Sequence, residues 1–533
     1  MKLSKGWKIV LGILGGLFLA YCVVFAMALE WASRHGQQWV MRQIQKQFHG
    51  QVQVDSIEIK VYPSVRVSGT GVRVLFAGRE DLPPLISIKS FTAQASWGEL
   101  MRLPRHISHL TLVGLQITVP TGIHGNAKQR APSRFSLRHF HGIFLDDVQA
   151  DDATLTILPK QAGKAPQVYD IAALRAHTIS SDGRLAFDAT LRIPVPPGNI
   201  YSSGAFGPWD ADAPGLTPIS GSFTYDNADL GHFKGIAGIL SAKGRYDGEL
   251  EQIAVDGATD TPNFSVDSGA HPVDLTTTFH AVVDGVNGDT MLDPVDAHFR
   301  HTTLHTTGII AGTPGQHGKA VKLQVSTEGA RIEDLLLLAV KDEPAMTGDV
   351  RLHTAFLLPA GSKYDVLNRL LLDGNFDVDK IVFTNHGIEQ KVDKLSMRSQ
   401  GNTGAVPQDD DVATEMQGRF QLETGVITFS NLNFRVPGAN VQLAGTFALD
   451  NQALDLHGTF DMEAKLSQTT TGIKSFLLRA VNPFFAKPGG GTRIPFKIGG
   501  TAKSPTYGLD RHRKNDDKTQ TTSKSNSADA PGN

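Results

Sequence analysis

GQVQVDSIEIKVYPSVRVSGTGVRV, residues Gly50 to Val74, holds the pattern that decides the fold. Val52 and Val54, Ile57 and Ile59, Val65 and Val67, and Val72 and Val74 alternate with other, mostly polar, residues. Side chains two positions apart lie on the same face of a β-strand. Each short run therefore predicts a strand with one dry face and one wet face. The same grammar continues in Phe91–Trp97, Leu115–Val119 with Ile117 at its centre, Leu155–Ile157 and Leu185–Leu191. Turn residues recur at intervals of roughly 8 to 12, the spacing of an all-β architecture. The 54 glycines, and aromatics dominated by 27 phenylalanines, suit strands joined by tight turns.

Pro196 to Pro218 is rich in Gly, Pro, Asp and Ser and shows no period, so it reads as a loop or boundary. Beyond it a Gly-x-aromatic start recurs at Gly221-Ser-Phe223, Gly244-Arg-Tyr246, Gly374-Asn-Phe376, Gly418-Arg-Phe420, Gly445-Thr-Phe447 and Gly458-Thr-Phe460. Gly would make the turn and the aromatic would open the next strand's buried face. The spacing is irregular, which predicts a meander rather than a repeat array. Helical interruptions are predicted at Glu333 to Val340, Ser362 to Leu372 and Thr470 to Ala486.

Toward the N-terminus the pattern changes twice. Trp39, Val40, Ile44 and Phe48 stand near helical spacing in residues 31–49, a short amphipathic helix. It either leaves a membrane or packs on the first strands. Before it, Ile9 to Leu29 (IVLGILGGLFLAYCVVFAMAL) carries no charge. A helix needs roughly 20 apolar residues to cross a bilayer, and this run has that length. Lys2, Lys5 and Lys8 precede it, which favours a cytoplasmic N-terminus with the bulk of the chain on the far side. Cleavage at Ala26-Met27-Ala28 and lipidation at Cys22 are the competing readings. Bulky Tyr21 and the length of the apolar run disfavour lipidation. The chain thus divides into an anchor at 1–30, a helix and β region at 31–195, the loop or boundary at 196–218, a β region at 219–508 and a tail at 509–533. The tail is polar, with the composition of a disordered segment.

Composition excludes several classes. Cys22 is the only cysteine, so the body has no disulfide and no thiol chemistry. The net charge of −2 offers no basic field for nucleic acid. There is no H-E-x-x-H, G-x-S-x-G or paired C-x-x-C. Gly312 to Ala320 resembles a phosphate loop, but it is one residue too long and Ala320 replaces the hydroxyl residue, so a hairpin turn is the better reading. His139 and His141, and His301 and His305, share strand faces, with His298 nearby; neither group has a matching third ligand. Asp146-Asp147, Asp151-Asp152 and Asp409 to Asp411 read as acidic turns. No catalytic residue, metal ligand or cofactor is expected, and the protein reads as a non-enzyme.

An anchor, a short helix, Gly50-Gln-Val52-Gln-Val54 and then Ile57-Glu-Ile59-Lys-Val-Tyr62-Pro63 resemble the start of the AsmA-like family of Gram-negative envelope proteins. Ile86-Ser-Ile88 through Leu100, and His109 to Ile117, fit that start as well. Asn482-Pro483-Phe484-Phe485 followed by Gly489 to Thr501 and Pro505 resembles the family's C-terminal region. The resemblance implies a fold that is mainly β, a long curled antiparallel sheet forming an apolar groove after a transmembrane helix. It also implies a protein similar to bridge-like lipid-transfer proteins, placed in the inner membrane with its body in the periplasm. The partner would be phospholipid or another acyl lipid. The alternative role is a scaffold for outer-membrane protein assembly, with outer-membrane or periplasmic proteins as partners.

From the residues alone, period-two strands could equally fill a closed barrel or a packed sandwich. The groove reading makes Val52, Val54, Ile57, Ile59, Val65, Val67, Val72, Val74, Ile117 and Val119 the candidate lining. Near the C-terminus, Phe476, Leu477, Val481, Phe484 and Phe485 alternate with Lys474, Arg479 and Lys487. Such a basic amphipathic helix would lie on a membrane or cap the end of the groove.

Overall fold

The alternation becomes strand. The computed structural model describes residues 52–75, 86–101, 105–120, 143–158, 166–177, 184–208, 214–400, 414–465 and 490–510, less a few positions inside the longer stretches. These residues are mainly β, with 25 strands numbered β1 to β25 in chain order and few helices. The anchor, the 31–49 helix, the Thr470 to Ala486 helix and the tail beyond Asp510 lie outside the described residues. No helix among the described residues is long and apolar enough to cross a membrane.

The chain divides into two units. Unit 1 takes residues up to Ala228 with Ala242–Asp256 and Val282–Asp289; unit 2 takes Asp229–Ser241, Gly257–Ala281 and Thr290 onward.

In unit 1, β1 (Val52–Gln53) and β2 (Ser56–Lys60) both pair with β3 (Val65–Val74). β3 continues antiparallel to β4 (Ile86–Ala95), and β4 to β5 (Arg105–Pro120). β5 then pairs in parallel with β6 (Ile143–Leu158), a departure from the expected all-antiparallel sheet. β7 (Gln167–His177), β8 (Leu185–Pro194), β9 (Pro197–Phe206) and β10 (Pro218–Asp229) follow antiparallel.

A line of special backbone crosses this sheet. Gly71 in β3, Gly114 in β5 and Asp152 in β6 have φ of 66°, 64° and 50°. Register places Gly71 and Gly114 on either side of Lys89 in β4, and Gly114 beside Asp152. Each strand changes the parity of its apolar positions at this line. Val67 gives way to Val72 and Val74, Leu112 to Leu115, and Ala150 to Ala153. Leu112, Leu115, Val148, Ala150, Ala153 and Ala176 nevertheless form one cluster, so the flip keeps these apolar residues on the same face. Left-handed φ is cheap for Gly and tolerated by Asp. Asp146-Asp147 and Asp151-Asp152, expected as turns, thus lie inside β6, Asp152 at the flip.

In unit 2 the predicted meander forms. β15 (Thr290–Phe299), β16 (Thr302–Gly312), β17 (Lys319–Arg331), β18 (Met346–Leu358) and β19 (Leu371–Phe383) each pair antiparallel with the next. So do β20 (Glu415–Glu423), β21 (Val426–Val436), β22 (Ala439–Ala448), β23 (Leu454–Met462), β24 (Thr492–Thr501) and β25 (Ser504–Leu509), with β19 joined to β20. Gly312 pairs with Lys319, so the phosphate-loop look-alike is a hairpin connection, as expected.

Helix α1 is Trp97–Met101, α2 is Ile332–Ala339 and α3 is His386–Ser399. The expected helix at Glu333 to Val340 is therefore present, shifted by one residue. Glu333 and Asp334 in its first turn favour the helix dipole. Asp334 is fully buried and pins the helix to the β15–β16 turn. It accepts from Arg300 Nε at 3.1 Å, the His301 amide at 2.9 Å and the Thr302 hydroxyl at 3.0 Å. Leu335 and Ile332 then pack on Ala330, Val350, Val378 and Ile381. The helix expected at Ser362 to Leu372 is not found among the described residues: Asn368 and Arg369 form a turn, and Leu371 and Leu372 open β19. α3 was not legible, its apolar content being low; Val392 packs on Val436 and Ala439.

Two other expectations change. Pro197–Phe206, expected as loop, is β9. Of its inward positions Gly198, Ser202 and Gly204 are too small for a hydropathy signal, and Ile200 alone makes no alternation. Aromatic rings from other strands fill the space: Tyr225 lies against Gly198, and Tyr246 against Gly204 and Gly221. The Gly-x-aromatic glycines lie within strands, not turns. Gly418 in β20 is opposite Phe376 of β19, and a Cβ there would stand 2.9 Å from the Phe376 ring.

Gly418→Ala is expected to destabilise unit 2 by about 1–3 kcal/mol through overpacking, with Phe376→Leu recovering part of the loss in urea unfolding. Asp334→Ala should cost about 3 kcal/mol, because three donors lose a buried acceptor. An unchanged urea midpoint for Asp334→Ala would contradict the pinning role.

Candidate functional site

Cross-strand register turns the separate alternations into continuous apolar rows. In unit 2, Leu323 of β17 is opposite Phe356 of β18, Phe356 opposite Leu372 of β19, and Leu372 opposite Leu422 of β20. The row continues through Ile427 and Phe447 to Leu454 of β23. A second row on the same face runs Val325, Thr354, Gly374, Phe420, Phe429, Gly445, Leu456 and Ile498. Neither row contains an ionisable side chain. The opposite face carries ion pairs between neighbouring strands: Arg351–Asp379 at 2.8 Å, Arg419–Asp373 at 3.3 Å and Arg435–Glu415 at 3.4 Å.

This apolar face is covered unevenly. Helices α2 and α3 sit over one end of the strands, where Val350 and Val378 are 1% and 0% exposed. At the other end Leu323, Phe356, Leu372, Ile427, Phe447 and Leu454 remain half-buried, while Leu422 between them is 5% exposed. Among the described residues Phe299 is the one buried phenylalanine; the rest keep part of their rings accessible. Apolar surface left in this state gains about 25 cal/mol per Å² when something apolar covers it. A face of contiguous rows also differs from the scattered apolar residues normal on a protein surface.

Unit 1 builds the same kind of face. Val52, Val74, Ile86, Ile117, Leu155 and Tyr169 are successive partners across β1, β3, β4, β5, β6 and β7. Ile59, Val67, Ala93, Leu110, Val148, Ala176 and Phe187 form another row. The structure thus brings most of the sequence-derived lining together. Ile57 faces Gly69, Val65 faces Ala95 and Val72 faces Ile88 in register. Ile59 and Val74 are buried, at 9% and 8%, whereas Val52, Val54, Ile57, Val65, Val67, Val72 and Ile117 are half-buried. Val119 holds its register position opposite Ile157. Phe476, Leu477, Val481, Phe484 and Phe485 lie outside the described residues. The rows of unit 2 were missed as lining. The Gly-x-aromatic motifs were their signal, since Phe376, Phe420, Phe447 and Phe460 all project from the face that those glycines leave open.

The titratable groups are tied up in local structure. His305 Nδ1 lies 2.7 Å from Asp296, its register neighbour, and His298 meets the Thr303 hydroxyl at 3.1 Å. Among the described residues no group of three or more His, Cys, Asp or Glu is arranged to hold a metal ion. His139 and His141 lie outside the described residues. Burial, reinforced by the negative charge of Asp284, pushes Tyr169 up to about 12, so it stays a neutral donor. Comparison with family models, curated proteins and solved structures gives no match.

His457 secures the last described strand. Its Nδ1 lies 2.9 Å from Asp510 and its Nε2 3.1 Å from Asp455. The hydrogen bond to Asp510, with help from Asp455, raises its pKa above the ordinary 6.5. A raised folded-state pKa means that the tether is fully present below about pH 6.5 and is lost as pH rises through the higher folded value. Hydrogen exchange of the Ser504–Leu509 amides, corrected for the intrinsic rate, should therefore be faster at pH 8.5 than at pH 6. His457→Gln should abolish that difference.

Proposed function

We propose that the protein is a membrane-anchored, non-enzymatic carrier of acyl lipid in the bacterial envelope, with the two apolar faces as its lipid-contacting surface. One observation carries the proposal: the register-aligned, uncharged and half-covered row from Leu323 to Leu454. A packed core would bury such side chains, and a water-facing sheet would not align them. Each CH₂ of an acyl chain sheltered there gains about 0.8 kcal/mol over water. The mechanism is passive: the face lowers the cost of holding a hydrocarbon chain away from a bilayer.

The resemblance of both chain ends to AsmA-like proteins supports the same reading, as does the uncharged stretch Ile9 to Leu29. A bridge-like lipid path beginning at the inner membrane accounts for the uncharged N-terminal stretch and a one-sided sheet together.

Photo-crosslinkers placed at Val67, Ile117, Phe356 and Phe447 of the full chain should capture phospholipid, while crosslinkers at outward Lys322 and Arg351 should not. Phe356→Asp places a charge in the row and should reduce co-purified lipid by about tenfold, read by mass spectrometry. Equal capture at inward and outward positions would overturn the lipid reading. Capture of outer-membrane proteins in place of lipid would establish the scaffold role instead.

A further inference from the structure

One part of the unit 1 face is occupied by the protein itself. The loop Asp284–Asp289 belongs to unit 1 and sets Val286 on Ile157. Ile117, Leu155 and Tyr169, three members of the row that starts at Val52, pack around this pair. Val286 is 3% exposed and Ile157 2%, while Ile117 and Leu155, packed at the edge of this contact, stay half-buried.

The loop is braced from inside and outside. The Asp284 carboxylate accepts from the Val286 amide at 2.8 Å and the Asn287 amide at 3.3 Å. Asn287 returns its side-chain oxygen to the Asp289 amide at 2.7 Å. The Asp284 amide donates to the Asp289 carbonyl at 2.8 Å, closing the loop on itself. Outside, the Tyr169 hydroxyl donates to the Gly285 carbonyl at 3.1 Å, and the Gly285 amide donates to the Leu250 carbonyl at 2.7 Å. Gly285 allows this approach, since a Cβ would stand 2.8 Å from the Leu250 carbonyl oxygen. Val286 is thus a preformed apolar knob, held on the row by its own side chain and the Tyr169 phenol, with the neighbouring Gly285 amide tied to Leu250.

We propose that Asp284–Asp289 is a built-in stopper, and that Val286 competes with an acyl chain for the Ile117–Leu155–Tyr169 segment of unit 1. The inference rests on the lipid reading above. An incoming chain offers the row the same apolar cover as Val286, so occupation requires the loop to lift, breaking the Tyr169–Gly285 hydrogen bond. Unit 2's open row has no such occupant among the described residues.

The test uses the full chain and vesicles of phosphatidylethanolamine and phosphatidylglycerol, with photo-crosslinkers at Leu155 and, separately, Phe356. Val286→Ser should raise lipid capture at Leu155 about fivefold and leave capture at Phe356 unchanged. Tyr169→Phe keeps the ring and removes only the hydrogen bond, so it should raise Leu155 capture by a smaller factor. It also carries the comparison if Val286→Ser does not fold. Unchanged capture at Leu155 in the variants, with lipid still captured at Phe356, would overturn the stopper and leave the lipid reading standing. No capture at either position in any variant would overturn the lipid reading, and the stopper with it.

Discussion

Cross-strand register is the constraint on which the rest depends. A strand presents its apolar residues on one side only if its partners are aligned to within a residue, since a slip of one sends every side chain to the opposite face. In unit 2 the alignment holds from Leu323 of β17 to Leu454 of β23. In unit 1 it survives a parity change because Gly71, Gly114 and Asp152 make the flip side by side. A flip in one strand alone would have put Val72 and Val74 among the charges of the other face. Done in neighbouring strands together, it keeps the apolar face whole.

What the face can do follows from how it is covered. Where α2 and α3 lie on it, Val350, Val378 and Val436 behave as ordinary core. The buried Asp334 network holds that end in one arrangement, because an orphaned carboxylate there would be costly. Where no described element lies on it, apolar side chains stay partly wet. Charged residues contribute by staying off the rows: their ion pairs line the outer face, where solvent makes each one weak and the set of them tolerant of change.

Much of this was legible in the chain. The i, i+2 alternation of Val65 and Val67 announces strand with a dry face, and Val52, Ile59, Val67, Val74 and Ile117 take places in the observed rows. The leucines after Glu333 announce α2. Other parts were hidden for definable reasons. β9 escaped because its inward Gly198, Ser202 and Gly204 are small, the apolar bulk over the glycines being supplied by Tyr225 and Tyr246 from elsewhere. The aspartates of β6 looked like turns because their partners, such as Arg192 beside Asp152, are distant in sequence. The Gly-x-aromatic motif was seen but placed in turns, since only the neighbouring strand reveals that a ring needs the space above Gly418.

The sequence by itself determined that the chain is mainly β, which residues of each strand are dry, and that an uncharged segment long enough for a membrane precedes them. Those properties are local, set by side-chain chemistry and a period of two. Only the tertiary structure decided that the dry residues align into rows, that helices cover one end of the unit 2 strands while the rows at the other end stay half-buried, and that Val286 fills part of unit 1. These depend on register, on the three neighbouring flips and on contacts such as Tyr169 to Gly285, 116 positions apart. No window of sequence short enough to show a period can contain them.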